Sequence, residues 1–164
     1  LNQIWHLWRY ESMEERARLR DALSKNERWT KEYVPAIRPL MVRQDIRFLN
    51  AVYGPNQPEK EGGFYELRMY RFNPGRAAGW AKDYRDIMPV REKYSRNIAV
   101  FTGEAPQPNE VLHMWNYPSL EARAKARGAL FQDPDWLAFV ARNAGAIAEM
   151  QNIMLIPTDY SPMR

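Results

Sequence analysis

One stretch of this chain occurs twice. The residues NQIWHLWRY at positions 2–10 return as NEVLHMWNY at positions 109–117, displaced by 107 residues and without a gap. Across residues 2–29 against 109–136, 12 of 28 positions are identical, among them His6/His113, Trp8/Trp115, Tyr10/Tyr117, Ser12/Ser119, Arg16/Arg123 and Trp29/Trp136. The same displacement sets Gln44 and Ile46 on Gln151 and Ile153. Two tryptophans, a histidine and a tyrosine in register argue for an internal duplication. Its length far exceeds the roughly 20–50-residue period of solenoids and is close to that of a small domain. The chain is therefore read as two copies of one module. The counterpart of residues 64–107, which lead into the second copy, would have to precede Leu1, and the chain begins with Leu rather than Met. From this we expect a processed or fragmentary N-terminus.

Residues 2–9 are short, aromatic and bounded by turn formers, the pattern of a strand. Ser12 with Glu15 three residues on forms a capping box, in which each side chain satisfies the other's backbone N–H. A helix follows, and its counterpart in the second copy starts after Ser119. Asn26 and Asp133–Pro134 open a further helix in each copy, with Pro134 in a first turn where no N–H is required. These helices carry Trp29 and Trp136, which we expect to be core anchors. Closing strands are expected at 44–50 and 151–156. Residues 54–63, rich in Pro and Gly, read as a linker.

Residues 64–72 then alternate as a strand, and Asn73-Pro74-Gly75 is a turn. A helix is expected over 76–94, because Trp80, Tyr84, Ile87 and Met88 fall at one-sided helical spacing. Pro89 should kink it or end it early. Strands at 97–102 and 109–117 flank a hairpin loop at 103–108. The complete copy thus reads βαββαβ, the ferredoxin-like order. The expected fold class is α+β: tandem ferredoxin-like modules, the first incomplete. The domains would be 1–53, the C-terminal half of the first module, a linker at 54–63, and the complete second module at 64–164. Helices on one side of such a sheet leave its other face to be buried elsewhere. Placing two modules sheet to sheet, as an α+β barrel within or between chains, would bury it.

Composition closes off several function classes. There is no cysteine, so disulfides, thiolate metal sites and cysteine nucleophiles are excluded. The two histidines occupy one repeat position, which argues against a His-rich metal site. No run approaches the ~18–20 apolar residues of a membrane-spanning helix. The net charge of +4 is spread among interleaved acids rather than gathered on one face, so we expect no nucleic-acid partner. Neither a Gly-rich phosphate loop nor a G-x-S-x-G elbow is present. The sequence points to no cofactor and no metal.

Three motifs carry a resemblance. YELRMYRFNPG (65–75), VLHMWNYPSLEARAKAR (111–127) and QNIMLIPTDYSP (151–162) are similar to the NIPSNAP family, and the tandem arrangement resembles its two-domain animal-type members. The resemblance implies a dimeric α+β-barrel-type fold and a mitochondrial address. It further implies a role in protein interaction, notably display of damaged mitochondria to autophagy receptors (mitophagy signalling). It supplies no agreed catalytic residue.

Two-residue alternation separates Val111, His113, Trp115 and Tyr117 from Glu110, Leu112 and Met114, and Glu66, Arg68 and Tyr70 from Tyr65, Leu67 and Met69. We expect the apolar set, Tyr65, Leu67 and Met69, to pack under the helices. Glu66, Arg68 and Tyr70 would then point into the barrel beside His113 and Trp115. As a pocket, this set would use His113 as acid or base, Arg68 to hold an anion or enolate and the aromatics to hold an apolar body. As structure, Glu66 pairs with Arg68 and both histidines are satisfied core residues. Three functions stay open. One is a non-enzymatic protein acting through protein contacts as a homo-oligomer. Another is a small-molecule carrier or cofactor-free oxygenase- or isomerase-like enzyme using the cavity. The third is a structural subunit of a larger mitochondrial assembly.

Overall fold

The computed structural model describes residues 3–59 and 62–164. Its contacts divide the chain at Asp45/Ile46, ahead of the linker at 54–63; Asn2, Lys60 and Glu61 lie outside the described residues.

In the unit ending at Asp45, α1 (Met13–Ser24) starts where the capping pattern requires. Ser12 Oγ accepts the N–H of Glu15 at 3.1 Å, but Glu15 reaches back to the N–H of Glu11, at 2.7 Å, rather than to that of Ser12. Asn26 Oδ1 caps the next helical turns by accepting the N–H of Trp29 at 3.0 Å. Those turns are a π-helix over Trp29–Tyr33, the short α2 (Val34–Ile37) and a 3₁₀ turn over Arg38–Leu40. No described residue of this unit is buried. The strand expected over residues 2–9 is not formed, and residues 3–9 are irregular and exposed. A strand needs a neighbour to take its N–H and C=O groups. The matching stretch in the second copy has neighbours on both sides.

The unit from Ile46 is a five-stranded antiparallel sheet with helices. Its strands are β1 (Phe48–Tyr53), β2 (Phe64–Phe72), β3 (Arg96–Ala105), β4 (Glu110–Tyr117) and β5 (Ile147–Leu155), in the order β1-β3-β4-β2-β5. Setting β1 aside, β5-β2-β4-β3 is the ferredoxin-like order, and it confirms the expected α+β class. The closing strand of the first copy begins later than expected, at Phe48. It lies on the edge of the second copy's sheet, with Phe48 opposite Ala105 and Tyr53 opposite Val100. Beyond Tyr53 the chain crosses the sheet edge at Gly54. There φ is +78° and a Cβ would stand 2.5 Å from the Ile98 carbonyl oxygen, so only glycine fits without strain.

The helix expected over 76–94 breaks at Ile87 into α3 (Ala77–Asp86) and α4 (Met88–Arg91), because Pro89 cannot continue the backbone ladder and instead sits in the first turn of α4. After β4, Ser119 caps α5 (Leu120–Leu130) as Ser12 caps α1, and Asp133 caps α6 (Pro134–Arg142).

The two faces of the sheet are the reverse of the expectation. Tyr70, Val111, Trp115 and Tyr117 pack under the helices with Trp80, Tyr84, Met88, Leu130, Trp136 and Phe139. Tyr65, Leu67, Met69, Ile98, Phe101, Leu112 and Met114 form a second buried cluster on the other face, against which Leu49, Ile153, Leu155 and Met163 pack. Alternation separates the two sets of side chains, but it cannot say which set the helices cover. The helix-facing set prevails because it holds the large rings that match those of α3 and α6, and because α4 and α5 bring arginines to its polar atoms.

Candidate functional site

Pairing of β2 with β4 sets Glu66 opposite Trp115 and Arg68 opposite His113, with Tyr70 two residues on. The structure therefore brings Glu66, Arg68, Tyr70, His113 and Trp115 together on the helix-facing side. Within this group the charges are spoken for. Glu66 is fully buried and accepts from Arg68 Nη1 at 2.7 Å and from Arg123 Nε and Nη2 at 2.9 and 2.6 Å. Arg68 Nε also donates to the Tyr70 hydroxyl at 2.8 Å. Burial raises the Glu66 pKa, but the hydrogen bonds from Arg123 and the charge of Arg68 outweigh it and hold the carboxyl below its usual range.

His113 is 2% exposed, and its hydrogen bonds settle its tautomer. Trp115 Nε1, which can only donate, lies 2.6 Å from Nδ1, so Nδ1 is the unprotonated nitrogen. The Tyr84 hydroxyl stands 3.3 Å from the same atom. Burial, then the charges of Arg68, Arg91 and Arg127, press the His113 pKa well below its usual value, so the ring is neutral and its proton sits on Nε2. Nε2 is buried without a partner. His113 is thus a hydrogen-bond donor, and the base considered from sequence is unavailable because its lone pair is engaged. His6, the other histidine expected in a core, is exposed.

This arrangement makes a pH prediction. Below about pH 6.5, the unfolded chain takes up a proton at residue 113 that the folded chain refuses. The stability that the neutral ring contributes is fully present above that pH and is lost as the pH falls toward the depressed folded pKa. Urea unfolding between pH 7 and pH 5 should show a loss approaching about 1.4 kcal/mol per pH unit in excess of that in a His113→Gln variant. Parallel pH profiles of the two proteins would contradict the assignment.

Between the sheet and α3–α6 lies a cavity of about 320 Å³. Trp80, Tyr84, Leu130, Trp136, Phe139 and Ile147 wall it, and the exposed Phe131, Val140 and Met150 stand at its rim. Arg68, Tyr70 and His113 reach it; Glu66 and Trp115 do not line it. Arg91 and Arg127 also line it. The guanidinium of Arg91 lies 3.8 Å over the Trp115 ring, and its Nη2 stands 3.4 Å from the Tyr117 hydroxyl. Trp80, Tyr84 and Trp136 were expected as packed helix residues without a place in this pocket, and Arg91 and Arg127 were not singled out from sequence. The four-residue spacing of Arg123 and Arg127 marks one helix face and was the signal for Arg127. Nothing local to residues 88–91 pointed to Arg91. Among the described residues, no group of three or more His, Asp or Glu is placed to hold a metal ion.

The NIPSNAP family model matches residues 1–53 and 65–162. Protein NipSnap homolog 3A of Homo sapiens is 29% identical over 168 residues, covering 100% of this chain and 68% of that protein. A NipSnap homolog of Dictyostelium discoideum is 28% identical over 162 residues, 95% of this chain and 69% of its own length. Among solved structures, a NIPSNAP family protein of unknown function from Agrobacterium tumefaciens matches with a TM-score of 0.59 and 30% identity, over 62% of this chain and 93% of its own. An uncharacterized NIPSNAP domain protein from Burkholderia xenovorans matches at 0.57 and 28%, over 60% and 98%.

Proposed function

This chain belongs to the NIPSNAP family, and from that premise we propose that its complete copy, residues 64–164, is a binding module for a small organic molecule held between helices and sheet. The observation that carries this reading is the roughly 320 Å³ cavity, whose largely aromatic wall also holds Arg68, Arg91 and His113. Reversible binding is favoured over proton-transfer chemistry, because neutral His113 offers no base and Glu66 is locked between two arginines. Native mass spectrometry of the protein from its source tests it. A mass excess of a few hundred daltons that leaves on denaturation is expected. A mass that closes on protein alone, together with no thermal shift from any compound of a metabolite library, would overturn it.

A second reading, a non-enzymatic mitochondrial protein acting through protein contacts, keeps the role implied by the resemblance, with the copies at 1–53 and 64–164 as its domains. Autophagy receptors, other mitochondrial proteins and a homo-oligomeric assembly belong to this reading. Exposed side chains of the first copy favour it. Ile4, Leu7 and Trp8 are 73%, 54% and 72% exposed, whereas their repeat mates Val111, Met114 and Trp115 are 0%, 9% and 0% exposed. Such a surface invites a protein partner. No helix among the described residues is long and apolar enough to cross a membrane.

A further inference from the structure

Of the charged side chains that line the cavity, Arg127 is the one whose guanidinium makes neither a hydrogen bond nor an ion pair among the described residues. The other polar groups of the wall are engaged. Arg68 donates to Glu66 and to the Tyr70 hydroxyl, and the Tyr84 hydroxyl stands against His113 Nδ1. Asn143 Nδ2 donates to the Phe139 carbonyl at 3.1 Å. Arg91 lies over the Trp115 ring with Nη2 at the Tyr117 hydroxyl. The unpaired nitrogens of Arg91, His113 and Trp136 are enclosed by their own packing, whereas Arg127 is only half-buried.

Its position follows from α5. Arg127 lies four residues before Phe131 and so shares a helix face with it, and its guanidinium carbon is 6.0 Å from the centre of the Phe131 ring. Phe131 is exposed and stands at the rim of the cavity with Val140 and Met150. The free cation is therefore at the mouth, and the wall behind it is apolar, with Trp80, Leu130, Trp136 and Phe139.

The local charges do not balance. No Asp or Glu lines the cavity. Glu66, the buried carboxylate beside it, accepts two bonds from Arg123 and one from Arg68. Burial, and then the charge of Arg68, press the Arg127 pKa below its ordinary value. Arg127 is thus a cation held where its charge is disfavoured, and a bound anion would relieve it.

We propose that Arg127 anchors the occupant of this cavity, a small amphiphile with one anionic end. Its apolar body lies between sheet and helices, and its charged end meets Arg127 at the mouth. At about 30 Å³ per water-sized group, the cavity of about 320 Å³ holds on the order of ten non-hydrogen atoms. That fits one short chain or one substituted ring, and not a two-chain lipid. The planar guanidinium can take two oxygens of such an end at once through parallel N–H groups. This inference rests on the reading of the cavity as a ligand site, and the test separates the two.

The test is calorimetric titration of the full chain with straight-chain carboxylates and sulfates of about six to ten carbons, the length that the volume allows, each beside the alcohol of equal length. At least one anion is expected to bind about ten-fold or more tightly than its alcohol, the scale of a bond between charged groups. Arg127→Gln should bring the two to near parity and leave binding of the alcohol unchanged. Arg127→Lys, which keeps the charge without the fork, should retain part of the preference. Alcohols that bind the unaltered protein as well as the anions would overturn the anchor and leave the cavity reading standing. An anion preference that persists in Arg127→Gln would place the charged end elsewhere and also overturn it. Binding by none of the probes would overturn the anchor and the cavity reading together.

Discussion

Glu66→Ala is expected to lower the unfolding free energy by about 3–5 kcal/mol, the usual cost of breaking a buried ion pair from one side. Glu66 is fully buried, and it is the only carboxylate that answers both Arg68 and Arg123 in the described structure. Its loss leaves Arg68, 8% exposed, facing the half-buried Arg127 with no countercharge between them. Urea unfolding at neutral pH measures the loss. Glu66→Gln preserves shape and some hydrogen bonds and should fall between Ala and the wild type. If Glu66→Ala costs less than about 1 kcal/mol, the value of an exposed pair, the three side chains do not form the closed group described above. Acid should act in the same direction. Because the arginines hold this carboxyl below its ordinary pKa, the stability it contributes is present above the usual carboxylate range and is lost as the pH falls through the folded value.

The second large effect compares the same residue in the two copies. Trp136→Ala should cost about 3–5 kcal/mol, the range for emptying an aromatic site in a core. Trp136 is 8% exposed, stacks on Phe139 at 5.1 Å and stands 6.2 Å from the Tyr84 ring. Its repeat mate Trp29 is only half-buried, and it stacks at 4.5 Å on Tyr33, four residues along the same helical turns. Trp29→Ala should therefore cost about 1 kcal/mol or less, the scale of one local ring pair. Unfolding of both variants, followed by a signal from the sheet, checks the contrast. Equal costs would mean that the first copy has a core of its own.

The pair also shows where reading from sequence succeeds and where it stops. Both tryptophans were expected to be core anchors because the repeat aligns them. The caps before them, Asn26 and Asp133, do form in both copies, since a cap needs only its own few residues. Burial needs the opposing half of a module, and among the described residues it is the second copy that is packed against one. The same distinction explains residues 3–9. β4 and its mate share His, Trp and Tyr at matching positions, yet among the described residues only β4 has β2 and β3 beside it. Pro89 ending its helix and the β2/β4 grouping of Glu66, Arg68, Tyr70, His113 and Trp115 were legible for similar reasons. A missing N–H is a local property, and two-residue alternation sorts side chains into sets whatever surrounds them.

What the sequence by itself determined was the duplication, the βαββαβ order, the caps and the sets of residues that share a sheet face. Tertiary structure alone decided which set the helices cover, that the first copy's strand lies on the second copy's sheet edge, and that His113 is a donor. The physical reason is the range of the forces. Periodicity, capping and proline sterics act within a few residues and are written locally. The orientation of a face, the partner of a buried charge and the tautomer of a buried ring depend on atoms brought together by the whole fold. Arg91, Arg123 and Trp136 reach this site from three different helices.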